Sequence, residues 1–321
     1  MTPKDRAIAA LNLKTPDKVP TFELEFQLSR EMFGRDISPE ALRPNNIGKL
    51  SARERDAKLN QLAEDFAYVY EQLDYSIMPG PYGINSGDST AISPELKFLF
   101  KKILELTKGT RMLGYHADGT FSITDAAGMT EFAYRIADDP AGVHAQAKHM
   151  ADRAIARNKV LADAGLEVGL LCSDYCYNSG PFTSPNMFSE FVQPYLAKII
   201  QEGKKCGLYM IKHTDGNIMP ILDQLIECEP HGLHSIDPMA GVDIKEVKAL
   251  VGHKVCLCGN VHCAALQTGT DEEVIASAEY AINHGKPGGG YIFCTSNVPF
   301  LGMPVRRYKM ILDVWKRMRD Y

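Results

Sequence analysis

Residues 209–217 read YMIKHTDGN: a run of strand-forming residues that breaks off at a histidine, an aspartate and a glycine. Strands that end in polar residues, each followed by a helical stretch, are how a (β/α) barrel assembles reactive groups at one end. His213 and Asp215 lie two apart, so strand alternation points both side chains the same way. If that way is inward, both face the barrel mouth. Taken alone the pattern has a plainer alternative, in which His213 closes a buried strand end and Asp215 N-caps a helix starting near Ile218.

Working outward, the same strand-then-helix rhythm recurs along the chain. Apolar runs at 166–172, 206–213, 232–236, 254–258 and 291–294 succeed one another with helical stretches between them. Residues 19–26, 73–79 and 110–116 supply three more on the N-terminal side. Helices are expected at 50–72, where Leu59, Leu62, Ala63, Phe66 and Val69 recur at helical spacing, and at 94–107, 139–164, 185–205, 217–228 and 304–319. Residues 120–136 fit a short strand or a helix. Apolar runs without alternation are typical of parallel strands buried on both faces. Eight strand–helix units in series, with no linker between them, predict an α/β fold: a single (β/α)8 TIM barrel domain over residues 1–321. A doubly wound sheet would need a Gly-rich phosphate turn after its first strand, and FELEFQLSR has none. The glycine run 288–290 precedes a strand and reads as a tight turn. Loops 80–90 and 176–185, rich in Gly, Pro, Ser and Asn, are expected to be irregular segments around the mouth.

Composition narrows the class. The 321 residues are 45% hydrophobic and 23% charged, with a net charge of −5. There is no basic block and no aromatic platform beside one, which argues against nucleic acid as a partner. No apolar run approaches the ~20 residues of a membrane helix, and residues 1–6 are polar, so no membrane association and a cytoplasmic location are expected. Eight cysteines, clustered in the second half, suit a reducing compartment. The spacing of Cys256, Cys258 and Cys263 does not match a zinc ribbon.

The polar residues at the expected strand ends are Glu25, His116, Asp118, Asp174, Tyr175, His213, Asp215, Asp237, Cys258, Asn260, Cys294 and Asn297. Each alone could be a cap or a turn residue. On a barrel, all of them converge on one mouth.

The segments DYCYNSGPFTSPNMFSEFVQPYLAKII, KHTDGN, HSIDPMAG, CLCGNVHCAALQTGTDEEV and PGGGYIF, with PDKVP near the N-terminus, together resemble the uroporphyrinogen decarboxylase superfamily. The resemblance is collinear over nearly the whole chain and implies a (β/α)8 barrel. True decarboxylases of this superfamily carry an arginine-rich segment after the first strand, where this chain reads FELEFQLSREMFGR with Glu23 and Glu25. Carboxylates there would repel a polyanionic porphyrinogen. KHTDGN, CLCGNV, YIFCTSN and GMP are closer to the corrinoid-dependent methyltransferases, in particular the methoxyaromatic O-demethylases. That branch implies a methyltransferase that moves a methyl group from a small methylated donor to the cobalt of a separate corrinoid protein. This chain lacks the Asp-x-His-x-x-Gly signature of corrinoid binding, so the corrinoid is expected on a partner.

Breaking an aryl methyl ether expels a phenolate, whose conjugate acid has a pKa of about 10. The oxygen therefore needs a proton donor or a Lewis acid. For the Lewis acid the resemblance implies zinc, with His213, Cys258 and Cys294 as metal ligands and Asp215 available to the same set. Catalytic roles fall to Asp215, Glu25 and Asp237, and substrate contacts to Tyr175, Tyr177, Asp174, His116 and Asn297. Thiol-directed relatives carry His-x-Cys where this chain has His213-Thr214-Asp215, and demethylase relatives often place a Cys where this chain has Val298. A metal-free site, with Asp215 or a tyrosine handling the proton, is the alternative. A porphyrinogen-type decarboxylase and a non-catalytic barrel subunit are the other readings of function. The oligomeric state stays open, with a homodimer as one option.

Overall fold

The structure, a computed structural model, describes residues 1–84 and 90–321. Among these residues the main sheet has seven parallel strands: β1 (Ile77–Pro79), β2 (Met112–His116), β3 (Val168–Leu171), β6 (Tyr209–His213), β7 (Gly232–Ser235), β8 (Cys256–Val261) and β9 (Tyr291–Thr295), in the order β1-β2-β3-β6-β7-β8-β9. A small antiparallel hairpin, β4 (Cys176–Tyr177) with β5 (Gly180–Pro181), occupies the loop at 176–185. The main sheet curls, with helices covering its outer face. The eighth strand expected at 19–26 is instead an extended segment with a single parallel bridge, Thr21 to Phe293. It touches both edges of the sheet, since Phe293 N–H donates to Pro20 O at 2.9 Å and Ser76 N–H donates to Thr21 O at 2.8 Å. A full ladder is lost because the Glu23 side chain, not a backbone carbonyl, receives the Thr295 N–H at 3.2 Å.

Side chains of alternate strand residues build an inner core of Phe22, Leu24, Ile77, Met112, Val168, Leu170, Ile211, Cys256, Cys258, Ile292 and Cys294. The helix Pro3–Leu11 closes one end of it, inserting Ala7, Ala10 and Leu11 against residues that open their strands, such as Ile77 and Met112. Thr2 and Asp5 start that helix with a reciprocal capping box. A second, larger core lies between the sheet and the helices, including Leu62, Phe66, Leu99, Ile103, Leu196, Ile200, Ile282 and Trp315. Trp315 also donates its indole N–H to Val19 O at 2.9 Å.

The helix expected at 185–205 is broken into Pro185–Phe191 and Gln193–Lys205. Pro194, which has no N–H to give, sits in the first turn of the second piece. Residues 120–136 resolve as the helix Ala126–Asp138, whose cap Asp125 accepts the Gly128 N–H. Loop 80–90 is described only in part, because residues 85–89 lie outside the described residues. No described helix is long and apolar enough to cross a membrane.

Candidate functional site

The end opposite the Pro3–Leu11 helix is where the inner face turns polar. Along β6 the inward series runs Ile211, His213 and on to Asp215; along β3 it runs Val168, Leu170, Cys172 and on to Asp174. This parity brings Asp174, His213 and Asp215 together, one ligand-type atom from each lying within 4.8 Å of the others. His213 Nε2 is 3.6 Å from Asp174 Oδ1 and 3.8 Å from Asp215 Oδ1.

Each member is held from behind. His213 Nδ1 is 2.9 Å from Nδ1 of the buried His234, so one of these two nitrogens carries the proton and the other accepts it. Asp215 accepts from the Ser235 hydroxyl at 2.8 Å and from the Asn297 side-chain amide. Its own backbone N–H donates to Asp174 Oδ1 at 3.1 Å. Ser235 and Ile236 adopt left-handed backbone angles, φ 86° and 50°, as β7 turns into its loop. Such conformations are costly away from glycine and persist where the surroundings over-determine them. Gly216 has φ 82°, and a Cβ there would lie 2.4 Å from Cys176 O, so only glycine lets the loop after β6 pack under the β4–β5 hairpin.

Burial is the main electrostatic force here. It pushes the Asp215 carboxyl up to about 7; the Ser235 and Asn297 donors oppose the rise, while nearby Asp174 and Asp237 add to it. Burial, with Lys212 second, lowers His213 to about 3, and burial holds His234 well below the ordinary imidazole range. Both rings are therefore neutral, and a neutral imidazole has a lone pair to offer. The positive charge of Lys212 is committed elsewhere. Fully buried, its Nζ lies over the Tyr175 ring at 3.8 Å and donates to Ser173 O at 2.8 Å and Asp118 Oδ2 at 3.1 Å. Burial alone would raise Asp118, but Lys212 and the Ser173 N–H bring it down to about 2.

The other residues expected at the site are spread more widely. Asn297 reaches Asp215. Asp237 is buried and accepts from Gly216 N–H at 3.1 Å and Met239 N–H at 2.9 Å, fixing the loops after β6 and β7. Cys258 and Cys294 stay in the inner apolar core and are not in the Asp174–His213–Asp215 group. The reason is strand length: β8 runs on to Val261, so Cys258 lies mid-strand, and β9 carries Cys294 one residue before its end. Burial keeps both thiols well above their ordinary pKa, which disfavours the thiolate a metal needs. Tyr175 is turned away from the mouth, fully buried with its hydroxyl on Thr120. Tyr177 is exposed on the hairpin, and His116 packs on the Tyr82 ring with centroids 4.1 Å apart. Glu25 is exposed and accepts from the Gln27 amide at 3.1 Å. Glu23, expected beside it at the mouth, is buried in the wall, receiving the Thr295 N–H and hydroxyl and the Tyr308 hydroxyl.

His234 and Ser235 are contributors that sequence reasoning missed. The available signal was the polar pair at the end of GLHS, one strand over from KHTDGN. A cavity of about 410 Å³ opens beside Asp215, between the loops after β7, β8 and β9, with Cys263 in its wall.

The fold has counterparts among known proteins. The sequence model of the uroporphyrinogen decarboxylase (URO-D) family matches residues 122–318. That is more than half of the chain, and the chain belongs to this family. Among solved structures it is similar to a methyltransferase from Methanosarcina mazei, at 17% identity over 99% of each chain with a TM-score of 0.73, a likeness of fold. D-psicose 3-epimerase from Clostridium cellulolyticum H10 matches at 10% identity over 79% of this chain and 91% of that one, with a TM-score of 0.43, too remote to bear on function. No curated protein sequence matches.

Proposed function

We propose that the chain is a methyltransferase of the URO-D family that moves a methyl group from a small methylated donor, a methoxyaromatic, to the cobalt of a separate corrinoid protein. The observation that carries this reading is the Asp174–His213–Asp215 group at the open end of the sheet. We read the whole chain as one domain and the extended segment at 19–26 as the eighth stave of a TIM barrel, which makes that open end the mouth.

The three side chains fit a divalent metal, with zinc our choice. Two donor atoms bound to one tetrahedral zinc lie about 3.3 Å apart. The His213 to carboxylate distances of 3.6 and 3.8 Å are a small adjustment away. Three protein donors leave a position open, as in catalytic zinc sites. Burial, with Asp174 and Asp237 nearby, holds the Asp215 carboxyl up at about 7, and a bound cation would lower it. Bound there, zinc would supply Lewis acidity to the donor oxygen.

The remaining work belongs to the chain. His234 orients His213 through the Nδ1 contact, leaving Nε2 to face the carboxylates. Ser235 and Asn297 hold Asp215, and Asp237 holds the Gly216 turn that carries it. The Pro3–Leu11 helix closes the opposite end, so a protein-borne acceptor has only the mouth to approach. A porphyrinogen-type decarboxylase is the weaker reading, since among the described residues the cavity beside Asp215 presents Asp237 and no arginine or lysine to a polycarboxylate. The test is to mix the protein with methoxyphenols and methoxybenzoates, with and without a reduced corrinoid protein, and follow cobalt methylation by absorbance. Methylation that needs all three components is expected. Its absence with every donor, in the presence of a corrinoid protein encoded beside this chain, would overturn the reading.

A further inference from the structure

We infer that the cavity beside Asp215 is the donor pocket and that it selects a neutral, hydroxyl-bearing single-ring methyl ether over one that carries a carboxylate. The inference rests on the methyl-transfer reading for the identity of the ligand as a methyl donor. Its own support is the make-up of the cavity.

At about 410 Å³ the cavity has room for one substituted ring. Val298 and Phe300 give it apolar walls, and Met239, half-exposed, stands at the rim. Among the described residues its charged groups are Asp215 and Asp237, with no lysine, arginine or histidine in the lining. A ring carboxylate entering it would give up water and meet carboxylates, both of which are unfavourable. A divalent ion on the Asp174–His213–Asp215 group would offset two negative charges and still leave that of Asp237. Gln267 adds a positive requirement. Its Oε1 is enclosed in the cavity wall with no hydrogen-bond partner, an acceptor that a ligand hydroxyl satisfies once the side-chain amide turns towards the cavity.

Calorimetric titration of the full-length protein with guaiacol, anisole and the methoxybenzoates tests this without any methyl acceptor. Guaiacol should bind tightest and the methoxybenzoates about tenfold or more weaker, a difference of roughly 1.4 kcal/mol. Met239→Lys, at an exposed position where misfolding is not a concern, should narrow that gap to a few-fold. Gln267→Leu should remove the advantage of guaiacol over anisole. Methoxybenzoates binding as well as guaiacol, or an unchanged gap in Met239→Lys, would overturn the inference. The two readings fail separately. Selective guaiacol binding with no methyl transfer would retire the methyltransferase and keep the pocket, whereas methyl transfer from methoxybenzoates bound as tightly as guaiacol would do the reverse.

Discussion

The two ends of the curled sheet are built from the same strands and differ in the residues that terminate the inward side-chain series. At the end closed by Pro3–Leu11, that series starts in Ile77, Met112, Val168 and Cys256, packed on Ala7, Ala10 and Leu11. At the other end it finishes in His213, Asp215 and Asp174, with the supporting Ser235 and Asn297. One end is filled by dispersion and apolar burial, the other by groups that need partners. The difference teaches that one end of a curled sheet becomes a site when its inward positions are given side chains the core cannot satisfy by itself.

The sharpest way to break this contrast is at the polar end. His213→Ala removes the only nitrogen donor of the group, and metal affinity and methyl transfer should both fall by more than about 100-fold, the upper range for loss of a merely supporting group. Circular dichroism of the variant should show the wild-type fold. At the closed end the opposite pattern is expected. Leu11→Ala should cost about 2–5 kcal/mol of stability in a denaturant titration and leave metal affinity unchanged.

Between the ends, the seam at Glu23 sharpens the comparison through pH. Burial, against the Thr295 and Tyr308 donors, raises Glu23 from the ordinary carboxyl value of 4.5 to about 8. The folded state thus keeps a proton that the unfolded chain releases. Stability from this group is complete below about pH 4.5 and is lost as pH rises towards 8, a fall of a few kcal/mol across the window. Asp215, raised to about 7, adds in the same direction. Glu23→Gln should therefore flatten, without abolishing, the decline in denaturation midpoint between pH 5 and pH 8. A decline as steep as that of the wild type would show that Glu23 is ionised in the folded protein.

Much of the polar end is legible from residues alone, for identifiable reasons. His213, Asp215 and Asp174 come after apolar runs at the inward parity, so alternation places them. Asn297 has the opposite parity to the inward Ile292 and Cys294, so alternation does not place it, and the turn after β9 brings it to Asp215. His234 and Ser235 escape alternation because they lie inside a short strand whose other positions, Gly232 and Leu233, read as core. Cys258 and Cys294 are expected at the mouth because they close the apolar runs at 254–258 and 291–294, yet β8 continues to Val261 and β9 to Thr295, which leaves both thiols in the inner core. Tyr175 has the outward parity and turns to Thr120 and Lys212. The apolar pattern at 19–26 reads as a full strand because it cannot reveal that a buried glutamate takes the place of a backbone acceptor.

The central claim is that the mouth binds its metal through Asp174, His213 and Asp215, without sulfur. X-ray absorption at the zinc edge of the zinc-loaded protein addresses it directly. The expected spectrum has a single shell of nitrogen and oxygen donors at about 2.0–2.2 Å. A sulfur shell at about 2.3 Å, which would place Cys258 or Cys294 on the metal, would contradict it, as would a protein that retains no zinc at all.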